Sequence, residues 1–255
     1  MKKIKKILTG TLSCGLAASM TVTPVFAQEN SEGASLTKWC AVYGEAGGTS
    51  SVSPDSLNDG VMLLDNTILM AGTFDGSKTP DKEGVKGKTD GALVLYDDQG
   101  NMIWEKLTGG SKADSFNGAA QPGDGGFIAV GNTQSVDGDL EGQGKGAQDG
   151  LAALFDGDGN LKKAVALGGS NKDGFNDVFV AQDGGFVAVG YTHSTDGDLA
   201  GKTQHGARDA WIVKLDSNLN IEWSDTFGGS GSTLILDEFT KGLTCHDGGF
   251  LAMGY

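Results

Sequence analysis

Cysteine, proline, histidine and basic residues are all scarce in this chain of 255 residues, and each scarcity removes a class of protein. Nineteen Lys and Arg face 33 Asp and Glu, a formal charge of −14. Nucleic acid and anionic lipid surfaces both need a basic footprint, so neither is an expected partner. Three cysteines are too few for a disulfide framework in a chain this long. Three histidines, none at a zinc-site spacing, give no metal motif. Beyond the first 27 residues no stretch approaches the roughly 18 consecutive apolar residues of a membrane span. No segment carries a sustained helical stripe either. What is abundant is glycine, 43 residues against four prolines, which suits many tight turns between short strands.

Residues 1–27 read as a secretory signal rather than as structure. Lys2, Lys3, Lys5 and Lys6 open it, residues 7–22 are mostly apolar, and Val25-Phe26-Ala27 supplies a cleavage site, so the mature chain is expected to start at Gln28. Lipidation at Cys14 is the alternative, but Thr11-Leu12-Ser13 is a poor lipobox and would cut the apolar stretch in half. Without the leader, 15 basic residues face 33 acidic ones, a formal charge of −18 that favours solubility outside the cell. Cys40 and Cys245 then remain, and the sequence leaves open whether they pair with each other, stay free or pair elsewhere.

The chain repeats itself. DGGFIAVGNTQSVDGD at 124–139 returns as DGGFVAVGYTHSTDGD at 183–198, and DGGFLAMGY begins again at Asp247. The unit is about 60 residues long. Asn101, Asn160 and Asn220 each lie eight residues before a glycine pair, at Gly109, Gly168 and Gly228, and Asp90, Asp149 and Asp209 each lie eleven before those asparagines. The step from Ser111 to Asp124 and from Ser170 to Asp183 is thirteen residues. From Ser230 to Asp247 it is seventeen, a four-residue insertion. Trp39, Trp104 and Trp223 mark the start of three units, and Lys163 holds that place in the other.

Within a unit the apolar pattern has period two over short runs, which predicts strands. In the third unit these fall at 163–167, 175–181, 186–192 and 210–215. Asp124-Gly125 and Asp183-Gly184 are hairpin signals, and Asp156-Gly157-Asp158-Gly159-Asn160 and Asp216-Ser217-Asn218 are turns after the fourth strand. Four antiparallel strands per unit predict an all-β fold, a β-propeller of four-stranded blades. A β-solenoid has shorter coils, and an open β-sandwich would not explain the period. The composite W…GGS…D…F…DGGF…VGYT…DGD…D-x-WIVKLDS…N…W resembles a propeller repeat found in secreted and surface proteins of bacteria, many without an assigned activity. The resemblance spans about 36–255 and implies a fold and an address, not a reaction. The first unit departs from it at Asp65-Asn66 and at Asp75-Gly76-Ser77.

On this reading a lead at 28–38 precedes blades at about 39–103, 104–162, 163–222 and 223–255, three complete and most of a fourth. An incomplete ring is expected, with the chain a fragment of a longer product or its ring completed by another chain. Further blades of the same polypeptide are then one expected partner, and unpaired edges are an association hazard.

The most suggestive polar cluster is the acidic loop after the third strand of each unit, Asp137, Asp139, Asp196 and Asp198. Alternating carboxylates on a glycine-bent loop begin to meet calcium's need for six to eight oxygens, so calcium is the candidate ion. Turn and cap chemistry is the competing and favoured reading. The Asp156, Asp158, Asn160 run opens like an EF-hand loop but lacks its distal glutamate. Asp90, Asp149, Asp209, Asp114 and Asp173 recur in register, as architectural aspartates bound to backbone amides would. A ligand site should instead break the symmetry, which directs attention to His193, His205 and His246. Trp39, Trp104, Trp211 and Trp223 read as packing residues before sugar platforms. No nucleophile elbow or P-loop is present. The expected function is a non-catalytic, secreted or cell-surface module that binds an extracellular protein or glycan, with no cofactor. An extracellular enzyme acting on glycans or small esters and a structural spacer in a larger surface protein are the alternatives.

Overall fold

A computed structural model describes residues 55–77, 80–123, 125–229 and 236–255. The expected leader and lead, Cys14, Trp39, Cys40, Asp124 and Ser230 lie outside the described residues. Fourteen strands follow one another: β1 Ser56–Met62, β2 Ile68–Phe74, β3 Asp90–Tyr96, β4 Met102–Thr108, β5 Asp114–Ala120, β6 Phe127–Thr133, β7 Asp149–Phe155, β8 Leu161–Leu167, β9 Asp173–Val180, β10 Phe186–Thr192, β11 Asp209–Leu215, β12 Ile221–Phe227, β13 Phe239–Thr244 and β14 Phe250–Gly254. The only helical pieces among the described residues are one-turn 3-10 segments at Gly138–Leu140 and Gly197–Leu199.

The strands form three four-stranded antiparallel sheets, β1–β4, β5–β8 and β9–β12, each in simple up-and-down order, and a hairpin, β13–β14. The period is as expected, but the phase is shifted by one strand. The strand carrying Trp104, Lys163 or Trp223 does not open a sheet; it is the last strand of the preceding one, so the sheets run over 56–108, 114–167 and 173–227. The reason is local. Asp156 closes a tight turn between β7 and β8, with Gly159 N–H donating to Asp156 O at 3.1 Å, whereas Gly168-Gly169-Ser170 carries the chain over to the next sheet. The expected fourth unit is accordingly a two-stranded hairpin among the described residues.

Sheets stack face to face, so a middle strand is covered on both sides. This explains why β3, β7 and β11 read as nearly continuous apolar runs, DGALVLY, DGLAALF and DAWIVKL, rather than as alternations. One core joins the first and second sheets through Leu69, Leu93, Phe116, Phe127 and Leu151. A second joins the next pair through Ile128, Val130, Phe175, Trp211 and Val213, with Trp211 stacked on Phe175 at 5.0 Å between centroids. A third, smaller core packs Val187, Val189 and Ile212 against Phe239 and Phe250 of the hairpin. On the hairpin's other face Leu251 and Met253 are each 47% exposed.

The first strand of each sheet carries a β-bulge, at Asn58, Asn117, Asn176 and Thr240. A bulge bends the strand and increases its local twist. Opposite each bulge stands a glycine, in A-G-T-F, V-G-N-T, V-G-Y-T and M-G-Y from the first sheet to the hairpin. A Cβ on Gly72, Gly131, Gly190 or Gly254 would meet the carbonyl oxygen of Ser56, Ser115, Gly174 or Glu238 at 1.9, 2.1, 2.0 or 1.8 Å. The bulged asparagine in turn reaches the next sheet: Asn58, Asn117 and Asn176 Nδ2 donate to Phe116, Phe175 and Phe239 O, each at 2.8 Å. Bulge, glycine and inter-sheet tie form one device repeated along the chain.

Candidate functional site

The expected ligand loops are consumed by the junctions between sheets. Asp137 Oδ1 accepts Ser111 N–H at 2.8 Å and Asp196 Oδ1 accepts Ser170 N–H at 2.7 Å, and these amides hold both carboxyls below the usual carboxylate range. Asp139 Oδ2 accepts Gly109 N–H at 3.0 Å and pairs with Lys86 Nζ at 2.5 Å; Asp198 Oδ2 accepts Gly168 N–H at 2.9 Å and pairs with Lys145 Nζ. Each loop thereby grips the Gly-Gly crossing from the preceding sheet. Among the described residues no group of three or more His, Cys, Asp or Glu side chains has metal-holding geometry. Calcium at Asp137 and Asp139, or at Asp196 and Asp198, would have to displace the ammonium of Lys86 or Lys145. The expected local turn and cap bonds are not what engages these carboxylates either: neither 3-10 segment has a side-chain cap bond, and all four reach across to amides or lysines of the preceding sheet's loops.

The EF-hand-like run behaves in the same way. Asp156 accepts the amides of Asp158 at 3.0 Å and Asn160 at 2.8 Å, and Asp97 and Asp216 repeat this with Gln99 and Asn101 and with Asn218 and Asn220. The recurring aspartates are buried and bound to amides as expected, and Asp114 and Asp173 also accept hydroxyls, from Thr133 and Ser135 and from Thr192 and Ser194.

The three histidines are not gathered into one site. His193 stands edge-on to Tyr191 at 6.0 Å, His205 Nδ1 lies 3.4 Å from Asp209 Oδ2, and His246 sits in the β13–β14 turn. Trp211 is fully buried, and Trp104 packs on Phe127 at 6.1 Å. Cys245 has no disulfide partner among the described residues.

The symmetry breaks elsewhere. The residue after the bulge is not held constant: it is Asp59 in the first sheet, Gly118 in the second, Asp177 in the third and Lys241 in the hairpin. Lys241 Nζ on β13 reaches Asp177 Oδ1 on β9 at 3.2 Å and Asp59 Oδ1 on β1 at 3.3 Å, so the first sheet and the hairpin meet through their first strands. The second oxygen of each acid accepts an amide from the following sheet, Asp59 Oδ2 from Ala119 at 3.1 Å and Asp177 Oδ2 from Gly242 at 2.9 Å. Burial raises the Asp177 carboxyl, against the pull of the Gly242 amide and Lys241. Burial alone would lower Lys241, but Asp177 and Asp59 outweigh it and hold the ammonium above its usual range. Gly118 leaves room here, since a Cβ on it would stand 2.9 Å from Asp177 Cα.

The cluster is two carboxylates on one half-exposed ammonium, a charged and polar surface where the first strands converge. It can offer hydrogen bonds to a polar ligand. Sequence reasoning missed it because the three side chains lie in different units and share only a place relative to the bulge. The signal available was the change of residue at one repeat position, with Asp in two units, Gly in one and Lys in another.

No protein-family model matches the chain, and a search of the curated proteins finds no match.

Proposed function

We propose that this chain is a secreted or cell-surface β-propeller, its sheets being the blades, that acts as a non-catalytic module binding an extracellular protein or glycan. The observation that carries the reading is the contact of Lys241 with both Asp59 and Asp177. It brings β1, β9 and β13 together, a convergence of first strands that blades around an axis would produce. Binding is favoured over chemistry because the recurring carboxylates are spent on amides, hydroxyls and lysines that hold the sheets together. The symmetry-breaking polar cluster of Asp59, Asp177 and Lys241 is at that contact, where a ligand approaching the axis of such a propeller would meet it. The basic leader with Val25-Phe26-Ala27 supports export.

One observation favours the enzyme reading: Asp59 and Asp177 approach each other closely enough to share one ammonium, and a carboxylate pair is what glycoside hydrolysis needs. Lys241 between them keeps both as ion-pair partners, which suits binding better than proton transfer.

The test has two parts. Expression with the leader intact should yield an exported chain beginning at Gln28 by mass spectrometry; an uncleaved chain retained in the cell would refute the address. Wild type and the Asp59→Asn, Lys241→Ala and Asp177→Asn variants are then compared on arrays of glycans and surface proteins. The reading expects a ligand whose binding the folded variants weaken at least tenfold. Turnover of an arrayed glycan would instead establish the enzyme.

A further inference from the structure

Two buried carboxylates meet at each of the first two sheet junctions, and they are not solvated alike. Asp90 opens β3 and Asp114 opens β5 of the next sheet; Asp149 and Asp173 repeat the arrangement one sheet on. All four are at most 2% exposed. Asp114 has the surroundings of an anion. Its Oδ1 accepts Thr133 Oγ1 at 2.5 Å, and its Oδ2 accepts Ser135 Oγ and Gly110 N–H, each at 2.8 Å. Asp173 has the same set from Thr192, Ser194 and Gly169, with His193 N–H added at 3.2 Å.

Asp90 and Asp149 are served on one side only. Asp90 Oδ2 accepts the amides of Lys86 at 3.0 Å and Gly87 at 3.3 Å, and Asp149 Oδ2 those of Lys145 at 2.8 Å and Gly146 at 3.3 Å. Oδ1 of both is buried without a donor. That bare oxygen faces the neighbouring acid. Asp90 Oδ1 lies 2.8 Å, and Asp114 Oδ2 2.4 Å, from the point a Cβ on Gly109 would occupy; at Gly168 the distances to Asp149 Oδ1 and Asp173 Oδ2 are 2.8 and 2.5 Å. The two oxygens of a pair are therefore no farther apart than the sum of those distances. The nearby cations, Lys86 and Lys145, turn their ammoniums away to Asp139 and Asp198, while Asp137 and Asp196 bind the amides of Ser111 and Ser170. At the third junction Asp209 has a donor on each oxygen, Gly206 and His205 N–H, both at 2.8 Å, so no bare oxygen arises.

A buried carboxylate oxygen without a donor is costly when ionised, and a second carboxylate nearby in a buried junction disfavours ionising both. We propose that each pair holds one proton at neutral pH, on Oδ1 of Asp90 and of Asp149, and that this proton is a pH-sensitive latch between adjacent sheets. Its loss leaves two anions facing each other across the Gly109 or Gly168 gap and loosens the junction. Burial above all, with a smaller push from Asp114 or Asp173, raises the Asp90 and Asp149 carboxyls against the pull of the loop amides and of the Lys86 or Lys145 charge. Burial also raises Asp114, where the Thr133, Gly110 and Ser135 donors counter it. A carboxyl whose folded pKa is raised adds stability that is fully present below its unfolded pKa and is lost as pH rises through the folded one.

Melting temperatures recorded from about pH 5 to about pH 9 test the latch. Wild type should melt progressively lower as pH rises. Asp90→Asn with Asp149→Asn puts a neutral amide donor at each bare position and should flatten that slope and melt at or above wild type at the alkaline end. Asp98→Asn with Asp158→Asn removes the same charge from exposed turns and should keep the wild-type slope. Side-chain carbon NMR of the wild-type protein should find Asp90 and Asp149 protonated at neutral pH, which decides the matter even if the double variant does not fold. Ionised Asp90 and Asp149 carboxyls, a wild-type melting temperature flat or rising over this range, or stabilisation by added calcium that the Asp90→Asn, Asp149→Asn protein loses would overturn the proposal.

Discussion

Gly131→Ala isolates the device that shapes every sheet. Gly131 lies on β6 opposite the bulge of β5, and its new methyl would stand 2.1 Å from Ser115 O and 2.9 Å from Phe116 Cα. Both are backbone atoms, so no rotamer change relieves the contact. Either β5 and β6 separate, weakening pairs such as Ser115↔Asn132 and Phe116↔Gly131, or the bulge flattens and withdraws Asn117 from Phe175 O. Overpacking in a rigid setting costs about 1–3 kcal/mol, and losing the Asn117 bond adds about 1 kcal/mol. A destabilisation of about 2–4 kcal/mol is expected, a large part of the roughly 5–15 kcal/mol that holds a domain folded. Gly123→Ala is the control, with no atom within 4 Å of its Cβ position. Urea unfolding followed by tryptophan fluorescence reads both. If the midpoint for Gly131→Ala coincides with that for Gly123→Ala at equal slope, the bulge is not rigid and the explanation of the repeated glycine fails.

Phe175→Ala should cost about 3–5 kcal/mol by the same assay, because the ring is fully buried and stacked on Trp211 between the second and third sheets; Phe175→Leu should recover most of the loss. A chelator should leave the melting temperature unchanged, since Lys86 and Lys145 already occupy Asp139 and Asp198; a fall would restore calcium to the acidic loops. On the acid side, the Asn101 and Asn220 side chains hold the turn carboxyls of Asp97 and Asp216 below 3.8, as the Asn160 amide does for Asp156. A depressed folded pKa gives stability that is present above the unfolded value and lost as pH falls through the folded one, so acid unfolding should set in below about pH 4. Asp97→Asn, Asp156→Asn and Asp216→Asn together should move that onset in an acid titration followed by circular dichroism.

Much of this architecture was legible in one dimension. Strands at 186–192 and about 210–215, the Asp183-Gly184 hairpin and the amide-binding role of Asp90, Asp149 and Asp209 follow from spacing, because hairpins and aspartate turns are local and each copy of the repeat supplies the same signal. The phase was not legible. A periodic sequence has no inherent first strand, and only the pairing of β8 with β7 shows that Lys163 ends a sheet rather than starting one. The role of the glycine opposite each bulge was hidden for a related reason: the carbonyl that excludes its Cβ belongs to another strand.

The sequence by itself determined that this is an all-β repeat with a unit of about 60 residues, because period-two patterning and turn chemistry act between near neighbours. Tertiary structure alone decided which residues depart from the repeat to some purpose. Asp59, Asp177 and Lys241 meet only because bulged strands from three sheets converge, and Asp90 faces Asp114 only because one sheet stacks on the next. Contacts of that kind depend on burial and on distances between units, and neither is written in the spacing of residues along a chain.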